Sequence, residues 1–220
     1  MTSADGSTDT NSHLASVNQT IYRGADIVTH IRSALVSRQK SYISDPSKKP
    51  SAVLLLLYPK HEEYHVMFTV RTSLVDDHKG EISFPGGAFH DGEDKSLLET
   101  AIRESFEEVG VLPENVEILG ELDDMLTRSS YIISPFVGTL KQSQSFAPAE
   151  AEVAEIVEVP LRVLLSPDTV KYGESQPITY AGRNVPGIYY HHDDYVVWGA
   201  TARMLTQFLD ICFPPLNVNR

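Results

Sequence analysis

Apolar positions along this chain recur with two different periods, and the switches between them divide the sequence into elements. From Ala25 to about Gln39, Ile27, Val28, Ile31, Ala34 and Leu35 form a stripe at helical spacing and predict a helix. Ser44 to Ser51, with two prolines and two lysines, predicts a loop. Two β-rich runs follow, Val53 to Tyr58 and Tyr64 to Arg71, separated by Pro-Lys-His-Glu-Glu, and together they imply a hairpin. Ile82-Ser83-Phe84 is a short strand that runs into Pro85-Gly86-Gly87, read as a turn. Strands are expected over Val116 to Gly120, Tyr131 to Leu140 and Ile156 to Val159, the last ending at Pro160, with less regular candidates at Thr169 to Tyr172 and Tyr189 to Trp198. Thr201 to Cys212 closes the chain as a helix with Ala202, Leu205, Phe208 and Leu209 on one side. Mixed strands with a few helices imply an α+β fold or an α/β/α sandwich.

Composition changes that picture little. Residues 1–20, rich in Ser, Thr, Asp and Asn, are expected to be a disordered tail, leaving residues 21–220 as one domain. With 41% hydrophobic residues the chain is globular. No apolar run approaches the length needed to cross a bilayer, so no membrane partner is expected. The N-terminus lacks the basic and apolar regions of a secretory signal. The single cysteine, Cys212, excludes an internal disulfide framework and reads as a packed thiol. A reducing, cytoplasmic setting is the expectation. The formal net charge of −12 argues against a nucleic-acid partner but not against an anionic small molecule, because bound cations invert a local field.

The chemistry is concentrated between Gly87 and Val111. There Gly87-Ala-Phe-His-Asp-Gly-Glu93-Asp94 is followed by Ala101-Ile102-Arg103-Glu104-Ser105-Phe106-Glu107-Glu108-Val109-Gly110-Val111. On a helix, residues three and four apart share a face, so Glu104, Glu107 and Glu108 project together. Hard divalent ions, Mg²⁺ or Mn²⁺, would relieve their mutual repulsion, and Mg²⁺ commonly binds a few carboxylates together with substrate phosphates. Leu98, Ile102, Ser105, Phe106 and Val109 are expected to pack on the opposite side. Glu99, Arg103 and Glu107 are spaced for i,i+4 ion pairing, and Gly110 is placed to stop the helix.

With these residues the sequence resembles the Nudix hydrolase family, whose signature is Gly-x5-Glu-x7-Arg-Glu-U-x-Glu-Glu-x-Gly-U, with U aliphatic. Ser105 replaces one aliphatic position. The span from Gly87 to Arg103 is two residues longer than the signature, so Glu93 has the family distance from Gly87 while Asp94 lies nearer the family distance from Arg103. Both are candidates for the first acidic position. The extension resembles the coenzyme A pyrophosphatase subgroup. So do Phe68 to Ser73, Gly80 to Gly87, Leu126 to Ser129 with Ile133 to Val137, Glu152 to Glu155 before Val159-Pro160-Leu161, and Trp198 to Arg203. The likeness covers about residues 25 to 213.

The resemblance implies a sheet core between helices, that is, the Nudix α/β/α sandwich with a mixed sheet. It also implies a metal-dependent hydrolase acting on a small nucleotide substrate. Glu104, Glu107 and Glu108 would be the metal ligands, with Glu107, Glu108, Arg103 and Glu152 catalytic. Gly86, Gly87 and Arg71 would bind substrate, although Arg71 reads equally as a strand-end surface residue. The first substrate is coenzyme A or an acyl derivative, giving 3′,5′-ADP and 4′-phosphopantetheine. ADP-ribose or a dinucleotide is the alternative, and the acidic pair Asp76-Asp77, where the subgroup is expected to carry a basic residue, would repel the 3′-phosphate or the diphosphate unless a metal intervenes. A non-catalytic Nudix-fold binding module and a homodimer also stay open.

Overall fold

Residues 52–58 are apolar without a break because both faces of their strand are covered. The computed structural model describes residues 26–72, 81–172, 178–180, 183–185 and 187–214. The expected tail and the Asp76-Asp77 pair lie outside them. The long strand β1 (Lys49–Lys60) continues through a hairpin into β2 (Glu63–Arg71), with Leu57 opposite Val66 and Lys60 opposite Glu63. Short strands β3 (Ile82–Ser83) and β4 (Gly86–Ala88) precede helix α2 (Leu97–Val109), while α1 (Asp26–Val36) lies before β1. After α2 come β5 (Val116–Glu121), β6 (Met125–Leu126), β7 (Tyr131–Leu140) and β8 (Val153–Pro160), and a single helical turn, α3 (Leu161–Leu164). The order β3-β2-β1-β7-β5 forms the main path of one sheet, with β4 on β1, β6 on β7 and β8 on β2. The β1–β7 pair is parallel and the others are antiparallel, so the sheet is mixed.

Alternation along β1 sorts the core into two layers. Val53, Leu55 and Leu57 pack with Val66 and Phe68 of β2, with Ile27, Ile31 and Leu35 of α1, and with Ala202, Leu205 and Phe208 of α4 (Gly199–Cys212). On the other face, Ala52, Leu54 and Leu56 pack with Met67, Phe136, and Ala101 and Val109 of α2. Helices thus cover both faces of a mixed sheet. Cys212 is fully buried in the α1–α4 layer. Strands β9 (Val170–Tyr172), β12 (Ile188–His192) and β13 (Tyr195–Val197) form a small separate sheet, and β10 (Ile178–Tyr180) pairs with β11 (Arg183–Val185). Among the described residues no helix is long and apolar enough to cross a membrane.

Several boundaries differ from the sequence expectation, each for a tertiary reason. Lys49 to Ser51 belong to β1 and not to the preceding loop, because Tyr131 to Ile133 pair with them. Pro85-Gly86-Gly87 is not a free turn: Gly86 and Gly87 pair with Val53 and Ala52. Strand β8 begins at Val153, which meets Arg71 across a bulge that leaves Ala154 of β8 as the extra residue. The helix face is rotated from the one read in the sequence. Its buried residues are Thr100, Ala101, Ser105, Glu108 and Val109, whereas Phe106 is 49% exposed. Small side chains let α2 approach β1 closely, and the large phenyl ring has no room on that side.

The rotation has a measurable consequence. Phe106→Ala should change stability in urea by no more than about 0.5 kcal/mol, as surface substitutions do, while Leu54→Ala should cost about 2–5 kcal/mol. A loss at Phe106 comparable to that at Leu54 would place the ring in the core and contradict this packing.

Candidate active site

Helix α2 is fixed at both ends by its own sequence. Ser96 is its N-cap, its Oγ accepting from Glu99 N–H at 3.2 Å, while Glu99 reaches back to accept from Lys95 N–H at 2.7 Å. Glu99 therefore caps the helix instead of pairing with Arg103. Gly110 closes it with a left-handed φ of 73°, its N–H donating to Phe106 O at 2.9 Å. The chain between β7 and β8 then straps this end. Ala149 N–H donates to Glu108 O at 2.8 Å, Ala147 N–H to Val109 O at 3.0 Å, and the Gln144 amide to Gly110 O at 2.9 Å. These bonds satisfy carbonyls that a helix end leaves open.

The arginine of the motif is held by an acid the spacing alone left undecided. Asp94, buried, takes Arg103 in a two-pronged contact, with Nε to Oδ1 at 2.8 Å and Nη2 to Oδ2 at 3.0 Å. Thr100 Oγ1 and His90 N–H also donate to Asp94, at 3.0 and 2.9 Å. The Arg103 hydrogen bonds, with the help of His90 and Thr100, hold the Asp94 carboxyl well below the usual carboxylate range. Glu93, mostly exposed, meets only the His90 ring at 3.3 Å in this turn. From this anchor Arg103 Nη1 reaches Glu104 and Glu107, both at 2.9 Å.

Glu104 and Glu108 stand one helical turn apart and press their carboxyl groups against consecutive residues of β4. Gly86 N–H donates to Glu108 Oε2 at 3.1 Å. A methyl group on Gly87 would lie 2.5 Å from Glu104 Oε1, and one on Gly86 would lie 2.3 Å from Ala52 O. A side chain at 86 would meet backbone that cannot yield, and one at 87 would have to displace the Glu104 carboxyl. Burial pushes the Glu108 carboxyl up to about 7, with the neighbouring charges of Glu104 and Glu152 adding to it, and burial likewise raises Glu104. Arg71, opposite the β8 bulge, opposes the shift at Glu108, and its Nε is buried without a hydrogen-bond partner among the described residues.

Of the loop acids, Glu152 is placed by its backbone: its carbonyl accepts from Thr72 N–H at 2.9 Å, next to Arg71. Glu155 instead accepts from Tyr195 Oη at 2.7 Å. The structure therefore brings Glu104, Glu108, Gly86, Gly87, Arg71 and Glu152 together. Glu107, more than half exposed, shares Arg103 Nη1 with Glu104 and so stays beside it, while Glu108 lies on Gly86. Among the described residues no group of three His, Cys, Asp or Glu side chains is gathered around one point. The donors that do face the diglycine are hard, largely buried carboxylate oxygens, with Arg103 beside Glu104 and Arg71 on the side of Glu108. That chemistry fits a divalent cation of the magnesium type. Asp94 and Thr100 were not singled out as a pair by the sequence. The only signal was that Asp94 lies nine residues before Arg103 in a turn that closes on itself.

Comparison with known proteins adds the lineage. The NUDIX domain family model matches residues 48–178. An uncharacterized Nudix hydrolase NudL from Photorhabdus laumondii is 33% identical over 80% of this chain and 94% of its own length. One of the same name from Pectobacterium atrosepticum is 39% identical over 53% of this chain and 62% of its own. A solved Nudix hydrolase from M. smegmatis, 13% identical, covers 79% of this chain and 91% of its own with a TM-score of 0.49.

Burying Glu108 sets a pH-dependent stability. Between the ordinary glutamate value and about 7, the folded protein keeps a proton on Glu108 that the unfolded chain has released. Stability from this group is thus present at low pH and is lost as pH rises through about 7, a loss on the order of 3 kcal/mol. In EDTA, Glu108→Gln should therefore become progressively more stable than the parent between pH 5 and pH 8 in thermal melts. Parallel pH curves for the two proteins would contradict the burial of the charge.

Proposed function

The chain belongs to the NUDIX domain family as a Nudix hydrolase of nucleoside diphosphate derivatives, and we propose that it cleaves the diphosphate linkage of coenzyme A or acyl-coenzyme A, giving 3′,5′-ADP and a 4′-phosphopantetheine product. The observation that carries the chemistry is the buried carboxylate of Glu108 against the backbone of Gly86, with Glu104 beside it on Gly87. Glu104 and Glu108, joined by Glu107 when it leaves Arg103, would hold Mg²⁺ or Mn²⁺. When bound, such an ion neutralises charge on the phosphate oxygens and lowers the pKa of a coordinated water.

The remaining roles belong to the chain itself. Arg103, locked by Asp94, is a positioning residue that fixes Glu104 from the side. Arg71, whose buried Nε has no hydrogen-bond partner among the described residues and whose fork suits phosphate oxygens, binds the diphosphate. Gly86 and Gly87 admit the substrate because they present backbone where any side chain would intrude. Glu152 accepts the proton of the attacking water. The water oxygen bonds to phosphorus, the bridging P–O bond breaks, and the bridging oxygen leaves with the departing phosphate. Support for coenzyme A comes from the stretches that resemble its pyrophosphatases. Among them is the two-residue extension, folded here as the turn that buries Asp94.

A panel of coenzyme A, dephospho-coenzyme A, ADP-ribose, NADH and diadenosine polyphosphates tests the reading. Coenzyme A should give the highest kcat/KM, and EDTA should abolish turnover of every substrate. Preference for ADP-ribose would reject the substrate, and EDTA-resistant turnover would reject the metal.

Two substitutions test the roles. Glu108→Gln should lower kcat at least about a hundredfold at saturating Mg²⁺ with an unchanged circular dichroism spectrum. Glu152→Gln should lower kcat by about 10²- to 10⁴-fold, flatten the acid limb of the pH profile and leave KM nearly unchanged, while Glu155→Gln stays mild. Equal small effects at 152 and 155 would place the base elsewhere.

A further inference from the structure

One exposed aromatic residue is held out from the fold on a backbone that is itself fixed. Tyr42 is 73% exposed. Its backbone neighbours are nonetheless pinned on both sides. Ser41 N–H donates to Asp123 Oδ1 at 2.8 Å, Asp124 N–H to Ser41 O at 3.0 Å, and Ile43 N–H to Asp124 Oδ2 at 3.0 Å. Beneath the ring sits Lys40, whose Nζ lies 4.9 Å from the Tyr42 centroid and 5.7 Å from that of Phe136. Glu121 and Asp124 hold that ammonium at 2.6 and 3.1 Å. The inner face of the tyrosine ring is thus occupied by a fixed cation, and its outer face is open.

The position of this ring follows from the sheet. Phe136 belongs to the apolar layer under α2, so Tyr42 stands on the same face as the diglycine. Register gives the separation: Gly87 pairs with Ala52, and Ala52 with Ser134, which puts Ser134 two strand spacings, about 10 Å, from the site. Ser134 Oγ donates to Asp124 Oδ1 at 2.7 Å, the same carboxylate that holds Lys40. On that face too, Leu126 of β6 pairs with Ile132 of β7 and is left 43% exposed. An exposed aromatic ring and an exposed aliphatic side chain therefore stand as a ledge on the diglycine face of the sheet, on the β7 side of the site.

We infer that this ledge is the nucleobase subsite: the planar base of the nucleoside diphosphate derivative stacks on the outer face of Tyr42 with its edge over Leu126. This rests on the hydrolase reading above, since it is the diphosphate on the diglycine that brings the base within reach. Stacking on an aromatic side chain tolerates any base and needs no hydrogen-bond code, which matches a ledge with an apolar outer surface. Lys40, already paired with two carboxylates, orients the tyrosine and does not meet the ligand.

Steady-state kinetics and a binding titration test the assignment together. Tyr42→Ala should raise KM for the best diphosphate substrate roughly tenfold, the size of one base–aromatic stack, with kcat within about twofold of the parent. Tyr42→Phe should restore KM, because the ring and not the hydroxyl makes the contact, and Leu126→Ala should give a smaller rise of the same kind. Independently of turnover, Tyr42→Trp should show emission quenched by AMP but not by ribose 5-phosphate, with the parent protein and its Trp198 as control. If no diphosphate is hydrolysed yet AMP quenches, the hydrolase reading fails and the subsite stands. Equal quenching by ribose 5-phosphate, no quenching by either, or an unchanged KM in Tyr42→Ala would overturn the subsite. So would a change of oligomeric state in Tyr42→Ala without a change of KM, which would make the ledge a contact between copies.

Discussion

Two carboxylates pressed against two consecutive glycines set the terms for the rest of this structure. Glu104 occupies the space a side chain at residue 87 would need, and Glu108 accepts a hydrogen bond from the backbone of residue 86. Such contact requires α2 to lie close over β1 and β4, which explains why its inner face is built from Thr100, Ala101 and Ser105. It also requires the diglycine to be held as a strand, paired with Ala52 and Val53, because a free turn could retreat from the acids.

Holding buried acids so close costs stability, and the surrounding polar contacts offset that cost by fixing each partner. Asp94 takes the guanidinium of Arg103 in a two-pronged contact and so fixes a cation that flanks Glu104. The strap between β7 and β8 satisfies the last carbonyls of α2 and delivers Glu152 beside Arg71. Glu108 is left under-compensated, with its carboxyl near neutrality in pKa. Perturbed carboxyl groups of this kind cluster at functional sites, which is consistent with the proposed cation site.

The sequence made the hairpin, the acidic helix and its terminating glycine legible, because each rests on local chemistry: alternation, helical spacing, and a left-handed cap. It misplaced what depends on partners. Phe106 has the right spacing for a packed face, but the helix is rotated so that small residues meet β1. Lys49 to Ser51 look like loop until β7 supplies a parallel neighbour. Distance along the chain could not choose between Glu93 and Asp94 as Arg103's partner. The fold chooses by turning Asp94 inward onto Arg103 and Thr100. Glu107 shows the opposite limit: helical spacing puts it with Glu104, and both share Arg103 Nη1, yet it is more than half exposed.

The central claim is that the diglycine and the two glutamates form one cation site, which depends on close approach as much as on charge. Mn²⁺ binding followed by electron paramagnetic resonance in the parent and in Gly87→Ala addresses it most directly, because the variant keeps every carboxylate. The account predicts that the parent binds Mn²⁺ and that the added methyl, by displacing Glu104, removes this binding while the circular dichroism spectrum is unchanged. Equal Mn²⁺ affinity in the two proteins would contradict it.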